Sequence, residues 1–473
     1  MLTEIKITQC NNILWRHYEK IGNSVAYDLF LKKFLLFEGA AAVICKICTE
    51  NTTISINNIF NILSRTFNCA STEESTIRND CLKIIKFLEQ SKLFKFSPSL
   101  AGHLEHEAID YSSSNTYDNE ENIHNVDVIQ QLKKITTKAL IPFVVILELT
   151  DCCPLQCTHC YCPQKVDSVW NLENFKKILA ELKALGTMEI VFTGGECMAH
   201  SLAEECFDLA YNSGFLVSFL TNGMLITKQK AKKLASYHPG LLQISLYASN
   251  ADTHDAITQV PGSFERTMAG IRYLQEEGIN PEIACSIMKT NYHAVDNLRE
   301  WCDKNNLQCS FNFNVFYSYN SEKKLQAGFK EPWFEKLFLD PRLNPRLKTT
   351  KILKQSCNQN NFDKKLCSAG SCNLTLSTDG SVLFCNVFRV KCGSILEQSL
   401  SEIWKESELL NKWRQVTVKS YPKCATCQAF ALCSPCPAQY FIETGSWSSG
   451  KIDEQTCYLG NKLYEAVQTG SVV

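Results

Sequence analysis

Five sulfurs fall between Cys152 and Cys162, in CCPLQCTHCYC. Within that run Cys153, Cys157 and Cys160 form C-x3-C-x2-C. Three thiolates leave a tetrahedral zinc one ligand short. They suffice for three irons of a four-iron cube and leave the fourth iron open, whereas electron-carrying ferredoxin runs close every corner with a fourth cysteine. Cys152 and Cys162 stand outside the spacing and read as local packing. A second group begins at Cys367 and Cys372, continues through Cys385, tightens into Cys424, Cys427, Cys433 and Cys436, and ends at Cys457. Its two C-x2-C pairs are five residues apart, whereas zinc ribbons commonly separate theirs by ~15–20. Clusters are therefore favoured over zinc. Cys357 and Cys392 carry no assignment.

The chain has 473 residues, 25 of them cysteine, and a formal net charge of −1. The N-terminus has no basic region followed by an apolar run, so it is no signal peptide, and no span approaches the ~20 apolar residues of a membrane helix. The expected location is cytoplasmic. Thiols stay reduced there, which excludes a disulfide framework and leaves metal or cluster ligation. The near-neutral charge argues against nucleic acid, whose phosphates require a basic surface.

The elements that must position these cysteines fall into segments. Residues 1–100 show β-prone runs, NILWRHY and SVAYDLFLKKFLLF, followed by three helical patterns. In the last of these, Ile77, Cys81, Ile84, Ile85 and Leu88 share one face. This predicts a small winged-helix-like domain. Residues 101–138 read as an acidic polar linker, mobile where HLEHEAIDYSSSNTYDNEENIHNVD runs without Lys or Arg. The histidines of HLEH are read there as solvated loop residues. Residues 139–330 alternate strand and helix in roughly six βα units, which implies parallel strands and right-handed crossovers. That permits a doubly wound sheet or a partial (β/α)6 barrel. Either would place chemistry at the C-terminal strand ends, and the five-sulfur loop follows the first strand. Residues 331–473 look loop-rich, as suits a domain held together by clusters.

The C-x3-C-x2-C run, with aromatic Tyr161 after it, resembles the radical S-adenosylmethionine (radical SAM) superfamily. TGGE at the end of the second strand, LTNG at the third and ISLY at the fourth continue the likeness, as does THDAITQVPGSFERTMAGI. The resemblance implies that Cys153, Cys157 and Cys160 hold a [4Fe–4S] cluster. It implies further that Tyr161, Gly194, Gly195, Glu196, Asn222 and Ser245 bind S-adenosylmethionine, with Glu196 accepting from its ammonium. The C-terminal cysteines resemble a SPASM domain with two auxiliary [4Fe–4S] clusters, three clusters in all. Cys367, Cys372, Cys385 and Cys436 would hold the first, and Cys424, Cys427, Cys433 and Cys457 the second. Two departures stand out: Cys433 and Cys436 are separated by two residues where three are usual, and Cys367 lies close to Cys372. Either auxiliary cluster would then be able to keep an open iron.

The strand-then-helices pattern of residues 10–95 resembles the PqqD-like recognition element of ribosomal-peptide maturases, in which a leader peptide adds a strand to a sheet edge. Together the resemblances imply a radical SAM enzyme that modifies a ribosomally made precursor peptide by hydrogen abstraction with a 5′-deoxyadenosyl radical. Thioether cross-linking is favoured, with epimerisation and carbon–carbon linkage as alternatives. The expected partners are the precursor peptide and an electron donor such as a flavodoxin or ferredoxin, with no nucleic acid or membrane. Maturation of a protein, as by a sulfatase-maturing oxidase, and a non-catalytic cluster scaffold are the rival readings. Cys197, directly after Glu196, is expected to be a packed thiol; hydrogen donation to a substrate radical is its alternative role.

Overall fold

The computed structural model describes residues 5–67, 74–97, 121–160, 162, 168–314, 331–344, 347, 365–430, 432–433, 435–444 and 454–469. Tyr161, Cys357 and residues 101–120 of the expected linker lie outside them. The chain divides into two compact units, Met1–Ile141 and Pro142–Val473.

The first unit runs β1 (Ile5–Gln9), β2 (Ile13–Tyr18), β3 (Asn23–Asp28), β4 (Lys33–Glu38), α1 (Gly39–Glu50), β5 (Thr53–Ile54), α2 (Ile56–Thr66), α3 (Glu74–Gln90), β6 (Phe94–Ser97) and α4 (Glu121–Ala139). Its strands form two antiparallel sheets, ordered β5-β1-β6 and β2-β3-β4. The run read as SVAYDLFLKKFLLF is thus a hairpin, β3 and β4. The helical face expected on α3 is real: Cys81, Ile85 and Leu88 are buried, and Ile84 packs against the same core, which Trp15, Ile44, Cys45, Cys48, Phe60 and Phe94 complete. Ser55 starts α2 by accepting from the Asn58 N–H at 3.1 Å, which satisfies one of the free donors of the first turn. One expectation needs correction. The linker reading to residue 138 gives way to helix at Glu121, where Leu132 and Thr136, one turn apart, are buried.

The second unit opens with β7 (Val144–Thr150), α5 (Leu172–Ala184), β8 (Glu189–Gly194), α6 (Ala203–Asn212), β9 (Leu216–Thr221), α7 (Lys228–Ser236), β10 (Leu242–Ser245), α8 (Ala251–Thr258), α9 (Ser263–Glu276), β11 (Glu282–Ser286), α10 (Val295–Lys304) and β12 (Cys309–Asn312). Helix α11 (Pro332–Phe338) and strands β13 (Asn373–Leu376), β14 (Ser381–Leu383) and β15 (Lys391–Ser394) follow. Among the described residues all strands of this unit lie in one sheet, ordered β12-β11-β10-β9-β8-β7-β13-β14-β15. From β7 to β12 every pair is parallel and the order never reverses. A doubly wound sheet reverses at its switch point. Monotonic order with right-handed crossovers winds the helices onto one face, which is the partial barrel.

The loop-rich reading of the C-terminal segment also needs correction. Strand β13 joins the barrel sheet parallel to β7, and β14 and β15 extend it antiparallel. These strands share one core with the barrel: Leu147, Phe192, Phe219 and Ile244 pack in the same cluster as Leu374, Val382, Phe384 and Trp404. The cysteine loops at either end of that sheet are therefore held by a common rigid body. Among the described residues no helix is long and apolar enough to cross a membrane.

Candidate active site

The loop after β7 is pinned from both ends. The Thr150 hydroxyl accepts from the Cys152 N–H at 3.1 Å. Farther along, the N–H groups of Gln156 and Thr158 donate to the carbonyls of Thr258 and Ile257, at the end of α8, at 3.0 and 2.9 Å. Between these anchors stand Cys153 and Cys157, half-buried, and Cys160, exposed. The three thiols feel one another. Burial raises Cys153 first, with the charges of Glu196 and Cys160 adding to it. Burial, then the charges of Cys160 and Cys153, pushes Cys157 up to about 12. Cys160 goes the other way, because the Cys162 S–H donates to its sulfur and favours the thiolate. The Cys153 sulfur accepts from the Leu155 N–H at 3.4 Å and from Asn222 Nδ2 at 3.5 Å. Three thiols close enough to influence one another, on a loop pinned at both ends, are a fit donor set for a cluster held at three corners.

The TGGE turn packs directly against the cysteine loop. Gly195 N–H donates to Thr150 O at 2.7 Å and Glu196 N–H to Cys152 O at 2.9 Å, so β8 is stapled to the cysteine loop. A Cβ on Gly194 (φ +128°) would sit 2.2 Å from Thr150 O, and one on Gly195 2.5 Å from Asp151 O. Only glycine permits that approach. The carboxylate of Glu196 is 1% exposed and accepts from Thr221 Oγ1 (2.8 and 2.9 Å), Asn222 N (2.8 Å) and Met198 N (3.2 Å). Burial raises it, and these donors pull it back. Through these donors Glu196 ties the end of β8 to the end of β9. Asn222 likewise serves Cys153 with its amide while its Oδ1 accepts from Met224 N at 3.0 Å.

Cys197 is fully buried in the barrel core. Its sulfur lies 3.7 Å from Glu196 Oε1 and 3.9 Å from Leu220 O, and burial raises its thiol far above the usual range. The packed-thiol expectation stands, and a hydrogen-donor role does not fit. At the end of β10, Ser245 is half-buried. Tyr247 was not singled out from the sequence; it contacts Cys157 and lies edge-on to the ring of His159 at 4.8 Å.

The C-terminal cysteines gather in two sets. Burial raises Cys385 to about 12, with the charges of Cys367 and Cys436 adding to it, and Cys367 in turn feels Cys372 after burial. The Phe388 N–H donates to the Cys385 sulfur at 3.1 Å and the Ala369 N–H to that of Cys367 at 3.4 Å. In the other set, burial and then the charges of Cys457 and Cys427 push Cys424 up to about 11. The Cys433 thiol donates to Thr456 O at 3.8 Å, beside Cys457 on the helix Glu454–Thr469. Gly460 of that helix makes room for it, since a Cβ there would stand 3.1 Å from the Cys433 sulfur. Cys392 points its thiol at Val390 O instead. Among the described residues no three His, Cys, Asp or Glu side chains close on a single metal ion. A cube takes its thiolates at separate corners and spreads them wider than one tetrahedral ion would.

One network ties the first loop to the first of these sets, and no local pattern of residues marks it. Arg389, four residues after Cys385, clamps Glu148 of β7 with Nη1–Oε1 at 2.6 Å and Nη2–Oε2 at 3.0 Å. Ser377 Oγ donates to Glu148 Oε2 at 3.0 Å, and Thr378 Oγ1 donates to Asp151 Oδ1 at 2.7 Å.

Residues 147–301 match the Radical SAM superfamily and residues 367–428 the SPASM iron–sulfur cluster-binding domain. The chain is 25% identical over 335 residues to the AdoMet-dependent heme synthase of Methanosarcina barkeri, spanning 65% of this chain and 94% of that protein. It is 32% identical over 163 residues to the antilisterial bacteriocin subtilosin biosynthesis protein AlbA of Bacillus subtilis, spanning 34% of this chain and 36% of that protein. In fold it is similar to Streptococcus suis SuiB bound to precursor peptide SuiA, with a TM-score of 0.61 at 17% identity over 95% of this chain and 99% of that one.

Proposed function

Because residues 147–301 carry a radical SAM domain and residues 367–428 a SPASM domain, which indicate iron–sulfur clusters and S-adenosylmethionine, we propose that this chain is an enzyme that modifies a ribosomally made precursor peptide. Bound at Cys153, Cys157 and Cys160, a [4Fe–4S] cluster would supply one electron to cleave S-adenosylmethionine and deliver a 5′-deoxyadenosyl radical that takes a hydrogen atom from the peptide. The chain's part is to orient and to shield. Gly194 and Gly195 let β8 close on the cluster loop, Asn222 holds Cys153, and Glu196 and Ser245, at barrel strand ends, would bind the cofactor. Cys367, Cys372, Cys385 and Cys436 would hold a second cluster and Cys424, Cys427, Cys433 and Cys457 a third. The first unit acts as a PqqD-like domain for the leader, and a flavodoxin or ferredoxin is the electron donor.

The observation that carries the peptide reading is the reach of the fold likeness to SuiB, which takes in 95% of the chain. A radical domain with auxiliary clusters alone would not need the first unit. Thioether formation is the favoured outcome; Cys367, Cys372, Cys385 and Cys436 would hold a cluster able to take up the electron released when a peptide sulfur bonds to the carbon radical. Anaerobically reconstituted protein, S-adenosylmethionine, dithionite and a short cysteine-containing peptide encoded beside the gene test this in deuterated water. A product two hydrogens lighter supports the thioether, and a gain of one deuterium supports epimerisation. A peptide of unchanged mass, with no 5′-deoxyadenosine, counts against the proposal.

A second reading follows from the heme synthase relative, nearly all of whose length is matched. It predicts that an iron porphyrin, rather than a peptide, stimulates cleavage of S-adenosylmethionine.

A further inference from the structure

We propose that a cavity of about 210 Å³ at the end of β12 is an anchoring pocket for one uncharged, apolar residue of the substrate peptide, taking its side chain and its backbone amide. This rests on the reading of the chain as a peptide-modifying enzyme and deepens it.

The cavity sits where β12 ends, at Asn312. Strands β7 to β12 run parallel, so this is the barrel rim that also carries the cysteine loop. Phe313, Phe338 and Leu459 line the apolar side, Asn312 and Asn314 the polar side, and Cys433 borders both. The walls are fixed. Phe313 and Phe338 meet edge-on at 5.2 Å. Gln455 Nε2 donates to Phe313 O at 3.0 Å and ties the end of β12 to the helix Glu454–Thr469. Asn344 Nδ2 donates to Phe338 O at 3.0 Å and holds the end of α11. Asn312 Oδ1 accepts from the Asn314 N–H at 2.9 Å, which leaves the Asn312 Nδ2 as a donor. The apolar wall belongs to one cluster with Tyr247, and Cys157 packs against that cluster. Cavity and cysteine loop thus border the same apolar body.

Size and charge select the occupant. An apolar cavity of ~150 Å³ takes up one benzene, so this one holds a side chain the size of leucine or phenylalanine. None of the residues lining it is charged, and an ionised group there would lose its hydration without compensation. The Asn312 and Asn314 amides can pair with a backbone amide, which needs both a donor and an acceptor. Strand β12 is an edge of the sheet, so an extended peptide can run along it and bring one side chain to its end. An iron porphyrin is too large for the cavity and carries carboxylates that nothing in the lining would neutralise.

The test uses the anaerobically reconstituted full chain and an Asn314→Phe variant, whose new ring fills the cavity from its rim. Saturation-transfer NMR with N-acetyl-phenylalaninamide should show binding to wild type and none to the variant, and N-acetyl-lysinamide should bind neither. With the peptide encoded beside the gene, Asn314→Phe should raise KM at least tenfold, the scale of one buried apolar side chain, and change kcat less. No transfer to the phenylalanine probe in wild type, equal transfer to the lysine probe, or an unchanged KM in the variant overturns the inference, while turnover of the peptide by wild type spares the reading. Wild type that modifies no peptide, and whose S-adenosylmethionine cleavage responds to an iron porphyrin instead, overturns the reading and the inference together.

Discussion

Arg389 and Glu148 form a two-pronged ion pair, at 2.6 and 3.0 Å, that is almost sealed from water, their side chains being 10% and 5% exposed. Glu148 precedes the cysteine loop on β7, and Arg389 follows Cys385. The pair therefore fixes one cysteine loop relative to the other. Arg389→Met would leave the Glu148 carboxylate buried and uncompensated, which typically costs ~3–5 kcal/mol. We predict a marked loss of melting temperature, recovered in good part by adding Glu148→Met, since removing both charges removes the desolvation penalty. Melting curves of the two variants decide it. A double variant no more stable than Arg389→Met alone would contradict this reading.

Gly195→Ala tests the staple between β8 and the loop. Its new methyl would lie 2.5 Å from Asp151 O and 2.7 Å from Cys152 O, both of them backbone atoms with little freedom to yield. The expected result is a folded protein that binds less iron and loses 5′-deoxyadenosine formation while the C-terminal cysteines keep theirs. Iron analysis of this variant, with and without the C-terminal cysteines, separates the two contributions.

Gly460→Ala makes the same kind of test at the other end. The methyl would press on the Cys433 sulfur at 3.1 Å and its Cβ at 3.2 Å. Cys433 must shift, so iron at the set formed with Cys424, Cys427 and Cys457 should fall, with the loop cluster retained. Mössbauer spectra of iron-57-loaded protein report which clusters remain.

His17 gives a pH dependence in the first unit. Its Nδ1 is 2.7 Å from Ser24 Oγ and its Nε2 2.7 Å from Thr49 Oγ1. Burial, followed by the charges of Lys46 and Arg16, lowers its pKa from 6.5 to about 4. The folded state therefore favours the neutral ring. Its contribution is present above pH 6.5 and is lost as pH falls toward 4, because the unfolded chain takes up the proton first. His17→Gln cannot protonate, so its thermal unfolding should lose less stability than wild type over that window. Parallel pH slopes for the two proteins would refute the assignment.

What the sequence disclosed follows from what is local. Leu147, Phe192 and Phe219 sit on strands readable from short apolar runs, and Phe175, Ile178, Leu179 and Leu182 mark α5 by helical spacing. Cysteine spacing is equally local. The bond from Ser377 to Glu148 spans 229 residues and that from Arg389 spans 241, so no pattern announces them. Strands β13 to β15 have three or four residues each, too few for alternation to register. Among the described side chains helix α4 buries Leu132 and Thr136, and it begins in an acidic stretch, so its period was masked. Glu196 was given to the cofactor because its residue type permits that role. Its bonds to Thr221 and Asn222, 25 and 26 residues away, are a property of the folded barrel that no local pattern announces.

The central claim is that Cys153, Cys157 and Cys160 hold a cluster that cleaves S-adenosylmethionine. The direct measurement is 5′-deoxyadenosine production, alongside iron content, in anaerobic wild-type protein and in a variant with these three cysteines changed to alanine. The account predicts that the variant keeps iron at the C-terminal cysteines and makes no 5′-deoxyadenosine. Undiminished production by the variant, or zinc in place of iron at the wild-type loop, would contradict it.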